Sequence, residues 1–161
     1  MRCNPVVRRA QEIAASGQLG RILSVTADHG QRFAFDPENR LYDLAVGGGA
    51  LLDLGVYPAT FAWLFLGPPE TVFTTGARSP TGSDVTTAMQ WGYADGRFAH
   101  ISCTTLSATP GHGLVVGTEG WLRLSGPFYY PDRLVVNVAG EEKTTGEKLP
   151  GHGYGPEVAE V

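Results

Sequence analysis

With 161 residues, 42% of them apolar and three tryptophans among them, the chain is long enough for one domain with its own core and too short for two. A formal charge of -4, with lysine and arginine scattered along the chain, leaves no basic footprint for nucleic acid or an anionic membrane; a small molecule or another protein is the expected partner. Cys3 and Cys103 stand far apart and outside any metal-ligand spacing, which fits a reducing, cytoplasmic setting, and the longest apolar run, Ala59 to Leu66, falls short of a bilayer crossing.

A first helix is predicted from Pro5 to Ser16, where Val6, Ala10, Ile13 and Ala14 recur at helical spacing and Gly17 follows as a stop. From Ile22 to Phe35, β-branched and aromatic residues alternate in part, as one long strand or a bent pair, and Asp36 to Val46 reads as a loop. A second helix begins near Gly49 or Ala50, runs to about Leu66 and ends at Gly67-Pro68-Pro69. Thr71–Arg78, Asp84–Ala94, Arg97–Leu106, Gly113–Gly117, Trp121–Leu124 and Arg133–Val138 each read as a strand, and Asp95-Gly96 is the strongest hairpin signal. Two helices followed by short strands joined through tight turns predict an α+β domain: an open, mostly antiparallel sheet with helices packed on one face.

No GxGxxG joins a strand to a helix, so no dinucleotide-binding turn is present in this sequence. Gly47-Gly48-Gly49 follows a polar loop and reads either as a flexible entry to the second helix with room for close backbone approach or, more weakly, as a phosphate loop. Within that helix Asp53 and Tyr57 stand four residues apart, on one face, among Leu51, Leu52, Leu54 and Val56. Such a carboxylate needs a partner. One reading is proton handling: oxidising an alcohol by hydride transfer requires a group that takes the hydroxyl proton, and a tyrosine does so when a nearby cation lowers its pKa. The other reading is a helix-cap bond for Asp53 and core packing for Tyr57. Pro58 predicts a kink next to both.

Arg40-Leu41-Tyr42-Asp43 followed by Gly47-Gly48-Gly49-Ala50-Leu51-Leu52-Asp53-Leu54-Gly55-Val56-Tyr57 resembles the signature of the C-terminal domain in the glucose-fructose oxidoreductase, inositol dehydrogenase and rhizopine catabolism (Gfo/Idh/MocA) family. Arg2-Cys3-Asn4-Pro5 with Arg8-Arg9 is similar to that family's exit from its nucleotide-binding domain, and Gly153-Tyr154-Gly155-Pro156-Glu157 to its approach to a last helix. Tyr57 stands where many members carry His, as in the dihydrodiol dehydrogenase-like branch. The resemblance implies a fold like the C-terminal domain of glyceraldehyde-3-phosphate dehydrogenase. It implies hydride transfer between NAD or NADP and a secondary alcohol of a sugar, cyclitol or vicinal diol, with Tyr57 as general acid/base, Asp53 as its helper and Arg40 against the dinucleotide. It also implies that residues 1–161 form the substrate, catalytic and dimerisation domain, pairing as a homodimer or higher homo-oligomer through the sheet. An N-terminal Rossmann domain with a catalytic lysine, and the final helix, would then lie outside the chain. Arg32 has no mark beyond a strand-surface charge, and His29, His100, His112 and His152 form no metal spacing, so each is expected to be structural.

Overall fold

The computed structural model describes residues 1–125 and 127–146. Helix α1 (Pro5–Ala15) starts where the Asn4 side chain accepts from the backbone N–H groups of Val6, at 2.8 Å, and Val7, at 3.3 Å, with Pro5 in the first turn. Its Val6, Val7, Ala10 and Ile13 are buried, and Gly17, at φ 80°, turns the chain out of it. Helix α2 (Val56–Leu66) continues directly from a wide, π-type turn at Leu51–Gly55 and ends at Gly67.

Among the described residues eight strands form one sheet: β1 (Ile22–Gly30), β2 (Thr71–Arg78), β3 (Asp84–Gly92), β4 (Phe98–Thr104), β5 (Gly113–Gly117), β6 (Gly120–Ser125), β7 (Arg133–Val138) and β8 (Glu141–Gly146). Their order is β2-β3-β4-β1-β5-β6-β7-β8, and only the β1–β4 pair is parallel. The α+β expectation with a mostly antiparallel sheet holds. Asp95-Gly96 turns β3 into β4, with the Gly96 N–H bonded to Tyr93 at 3.0 Å and Gly96 at φ 83°.

One cross-strand row shows how the alternating pattern becomes two faces. Trp91, Ala99, Val25, Val115 and Leu122 follow one another across five strands and are buried beneath the helices with Phe61, Ala62 and Leu66 of α2. Full burial of a large apolar side chain such as Phe61 contributes about 1.5–3 kcal/mol. The adjacent row, Phe73, Gln90, His100, Thr26, Leu114 and Arg123, lies on the opposite face, which no helix among the described residues covers.

Three expectations are corrected. The strand from Ile22 ends at Gly30, not Phe35: a Cβ at Gly30 would lie 2.5 Å from Thr109 Cγ2, and the chain leaves the sheet while Gln31 and Phe33 still bond to the carbonyls of Thr104 and Thr105. Strand β8 went unpredicted because Glu141–Gly146 is exposed throughout and has no apolar alternation to read. The stretch Leu44–Leu66, 23 residues, is long and apolar enough to cross a bilayer by length and composition, unlike the shorter run chosen from the sequence. It is broken by the left-handed Gly47, and its α2 portion packs on β1, β4 and β5 as a core helix. The Gly153–Glu157 approach to a last helix lies outside the described residues.

Candidate functional site

The site is built around the entry to α2. Gly47 sits at φ 78° and closes the short turn Leu44–Val46, while a Cβ at Gly48 would collide with the Arg40 carbonyl oxygen and one at Gly49, at φ 139°, with Asp84 Oδ1. The triple glycine is therefore a place of close backbone approach. What approaches is Asp84 at the head of β3: its Oδ2 accepts from the Leu51 N–H at 2.8 Å and from the Thr87 hydroxyl at 2.9 Å. The N-terminal end of this helix is thus satisfied by an internal carboxylate, which removes the phosphate-loop reading.

Pro58 has no N–H, so the Leu54 carbonyl four residues earlier loses its α-helical partner. The backbone forms the wide turn Leu51–Gly55 directly before Val56, whose N–H donates to the Leu54 carbonyl, and the Leu54 backbone lies near enough to His29, in β1, to raise its pKa. His29 is 7% exposed, its Nδ1 has no hydrogen-bond partner, and burial, the largest influence, lowers its pKa. The Leu54 backbone and the charges of Asp28 and Asp53 pull the other way without prevailing.

Arg40 Nη2 lies 2.8 Å from Asp53 Oδ1. With side-chain exposures of 72% and 23%, this pair is too wet to add much stability, so its consequence is orientation of the carboxylate. The side chain of Asp53 is paired, among the described residues, with Arg40 and not with a backbone N–H of the helix start. Tyr57, 38% exposed, stands at the lip of the site with its ring 5.2 Å from that of His29 and 4.8 Å from that of Tyr129. Tyr129 and His29 are 4.5 Å apart, and burial, with Tyr57 close by, raises the Tyr129 pKa. Beneath them Phe128 packs edge-on to Phe61, which anchors the aromatic group in the core. Cys103, in contact distance of any Cβ added at Gly55, is pushed up to about 11 by burial and by the Asp84 charge, so it is no nucleophile.

The structure therefore brings Arg40 and Asp53 together directly and places Tyr57 in ring contact with two residues the sequence did not single out. His29 could have been found from the parity of β1, which puts it on the face of Val25 and Ala27; Tyr129 sits in a turn with no periodic signal. Arg32, His100 and His112 are exposed and away from these contacts, and His152 lies outside the described residues. Among the described residues no group of His, Cys, Asp and Glu is arranged to hold a metal.

Residues 7–123 match the model of the GFO/IDH/MocA C-terminal domain. Trans-1,2-dihydrobenzene-1,2-diol dehydrogenase of Oryctolagus cuniculus is 33% identical over 143 residues, covering 88% of this chain and 43% of that protein. The chain thus spans about two fifths of the length of the curated relatives it matches. Among solved structures, an NAD binding oxidoreductase from Klebsiella pneumoniae superposes with a TM-score of 0.83 at 20% identity, over 99% of this chain and 53% of that one. A levoglucosan dehydrogenase in complex with NADH and L-sorbose gives 0.79 at 21% identity, over 96% and 47%. These two likenesses speak for the fold. From the extent of the family match and the identity to the diol dehydrogenase, the chain belongs to the GFO/IDH/MocA family, as its C-terminal domain.

Proposed function

We propose that this domain is the substrate side of an NAD(P)-dependent oxidoreductase that moves hydride between the nicotinamide and a secondary alcohol of a sugar, cyclitol or vicinal diol. The observation that carries the proposal is a half-exposed phenol, Tyr57, one helical turn along the chain from a carboxylate, Asp53, that is itself held by Arg40. The dihydrodiol dehydrogenases support a diol as substrate, and the levoglucosan dehydrogenase supports a sugar.

The residues present fit a dinucleotide only at its reactive end. No glycine-rich phosphate turn precedes a helix here, and the α2 entry is filled by Asp84. Arg40 is the exposed cation that would face the dinucleotide, and a second, nucleotide-binding domain would hold the rest. The nicotinamide, when bound, supplies the hydride acceptor. Tyr57 takes the hydroxyl proton as the carbinol hydrogen departs, and returns it in the reverse direction. Asp53, fixed by Arg40, orients the hydroxyl or the phenol for that transfer. The location is proposed as cytoplasmic, and the partner as a second copy meeting the uncovered sheet face.

The test is Tyr57→Phe in the full-length enzyme with candidate polyols. Turnover should drop by about 10²- to 10⁴-fold, the usual contribution of a general acid/base, while the thermal midpoint stays unchanged. A variant that keeps full turnover would mean the domain binds or assembles without doing this chemistry.

A further inference from the structure

Residues three apart in a regular strand face opposite sides of its sheet, yet the side chains of Asp84 and Thr87, both in β3, meet in a 2.9 Å hydrogen bond. Thr87 is on the helix side, paired with Cys103, which packs against Ala50 and Leu54. Asp84 joins it there because β3 carries an extra residue. Ala77 of β2 pairs with Thr86 and Arg78 with Asp84, so Val85 stands between them without a partner in β2. The Val85 carbonyl is pinned elsewhere, accepting from the Thr105 N–H at 2.8 Å and from the Thr104 hydroxyl at 3.1 Å. Without this bulge Asp84 would share the parity of Thr86 and Gln90 and face the uncovered side; with it, the carboxylate reaches the Leu51 N–H at 2.8 Å. Bulges re-aim side chains in this way and are enriched next to active sites.

What the re-aimed carboxylate holds is the seat of the Arg40–Asp53 pair. Gly48 and Gly49 are each in a contact too close for a side chain, Gly48 against the backbone of Arg40 and Asp43, and Gly49 against Asp84 Oδ1. The Gly48 N–H donates to the Asp43 carbonyl at 2.8 Å, and the Gly49 carbonyl accepts from the Asp53 N–H at 3.2 Å. Arg40 thus rests on one of these glycines and Asp53 is bonded to the other, so the 2.8 Å contact between their side chains depends on where the glycine pair sits. We infer that Asp84 is a positioning residue: through Gly49 and the Leu51 N–H it sets the backbone from which Arg40 and Asp53 meet, and so the direction of the carboxylate that orients the reacting groups. The inference rests on the reading of Asp53 as the helper of Tyr57. Its structural part is measurable without turnover.

A crystal structure of the full-length enzyme carrying Asp84→Ala should show the Arg40–Asp53 contact opened beyond hydrogen-bond reach. Its kcat should fall about ten- to a hundredfold, with KM for the alcohol changing far less. Asp84→Asn, which keeps an oxygen for the Leu51 N–H, should close the contact again and recover most of the loss. An intact Arg40–Asp53 contact in Asp84→Ala, with only the thermal midpoint lowered, is what a mere helix cap would give and overturns the inference. Combined variants test the route. In an Asp53→Asn background Asp84→Ala should cost little further turnover, and losses that multiply would overturn the claim that Asp84 acts through this pair. Should Asp84→Ala not fold, Thr87→Val keeps the shape and removes one of the two bonds to the carboxylate. The Arg40–Asp53 contact should then lengthen, and a contact left unchanged overturns the inference. An opened contact with undiminished turnover would instead overturn the reading of Asp53 as part of the chemistry, with the positioning of the pair upheld.

Discussion

A neutral imidazole held between Leu54, Tyr57 and Tyr129 makes the site sensitive to acid. Because burial lowers the folded pKa of His29 below its ordinary 6.5, the unfolded chain binds a proton that the folded chain refuses in the interval between the two values. Stability therefore falls as the pH drops from about 6.5 through that interval, and above it His29 contributes no pH dependence. The groups facing it are Asp28, Asp53, Tyr57 and Tyr129, with Arg40 neutralising Asp53, and none of them reverses this sign. His29→Phe should flatten the decline: between pH 7 and 5 its urea midpoint falls less than that of the parent chain. Equal declines would show that the imidazole is not the group being forced to charge. The proposed acid/base pair was legible at this scale, because Asp53 and Tyr57 stand out as polar side chains in an apolar helix. The contacts of His29 and Tyr129 were not, since ring packing across β1, α2 and the turn after β6 leaves no local spacing to read.

Among the elements, the second helix depends on a residue from another one. Asp84 receives the Leu51 N–H and the Thr87 hydroxyl, tying the start of β3 to the helix entry that carries Asp53. Asp84→Ala leaves both donors without their acceptor at the helix start and should cost about 1–3 kcal/mol, read from denaturant midpoints. Asp84→Asn, which keeps an acceptor oxygen, should lose less; equal losses in the two variants would place the effect in charge alone. Helix α1, the end of α2 and the β3–β4 hairpin were readable because caps, stops and a tight turn obey local rules. The wide turn at Leu51–Gly55 escaped notice, since proline announces a broken bond without saying how the backbone accommodates it.

Among the described residues the sheet is covered by helices on one side only. Phe73, 70% exposed at β2, lies in one row with Gln90 and His100 on the uncovered face, and Phe98 packs edge-on against His100 beside it. Apolar side chains gathered on such a surface are what a second copy would bury. Phe73→Glu should convert the proposed dimer to a monomer in sedimentation velocity without lowering the thermal midpoint by more than a few degrees. A dimer that persists in the variant, or a parent protein that is already monomeric, rules this face out. The two faces themselves were legible from strand alternation; the strand order was not, because β1 meets partners far along the chain.

That order also sets a timetable. Strands β2, β3 and β4 pair with sequence neighbours, as do β5 to β8, so each set is able to form from its own turns. Among the described residues the two sets are joined through β1, where Val25 lies between Ala99 and Val115. The strand made first therefore gains its second neighbour only once the chain has passed Gly117, and the loop closed by that pairing is the longest between paired strands. The keystone that holds His29 in place is thus the piece whose arrival decides when the site exists at all.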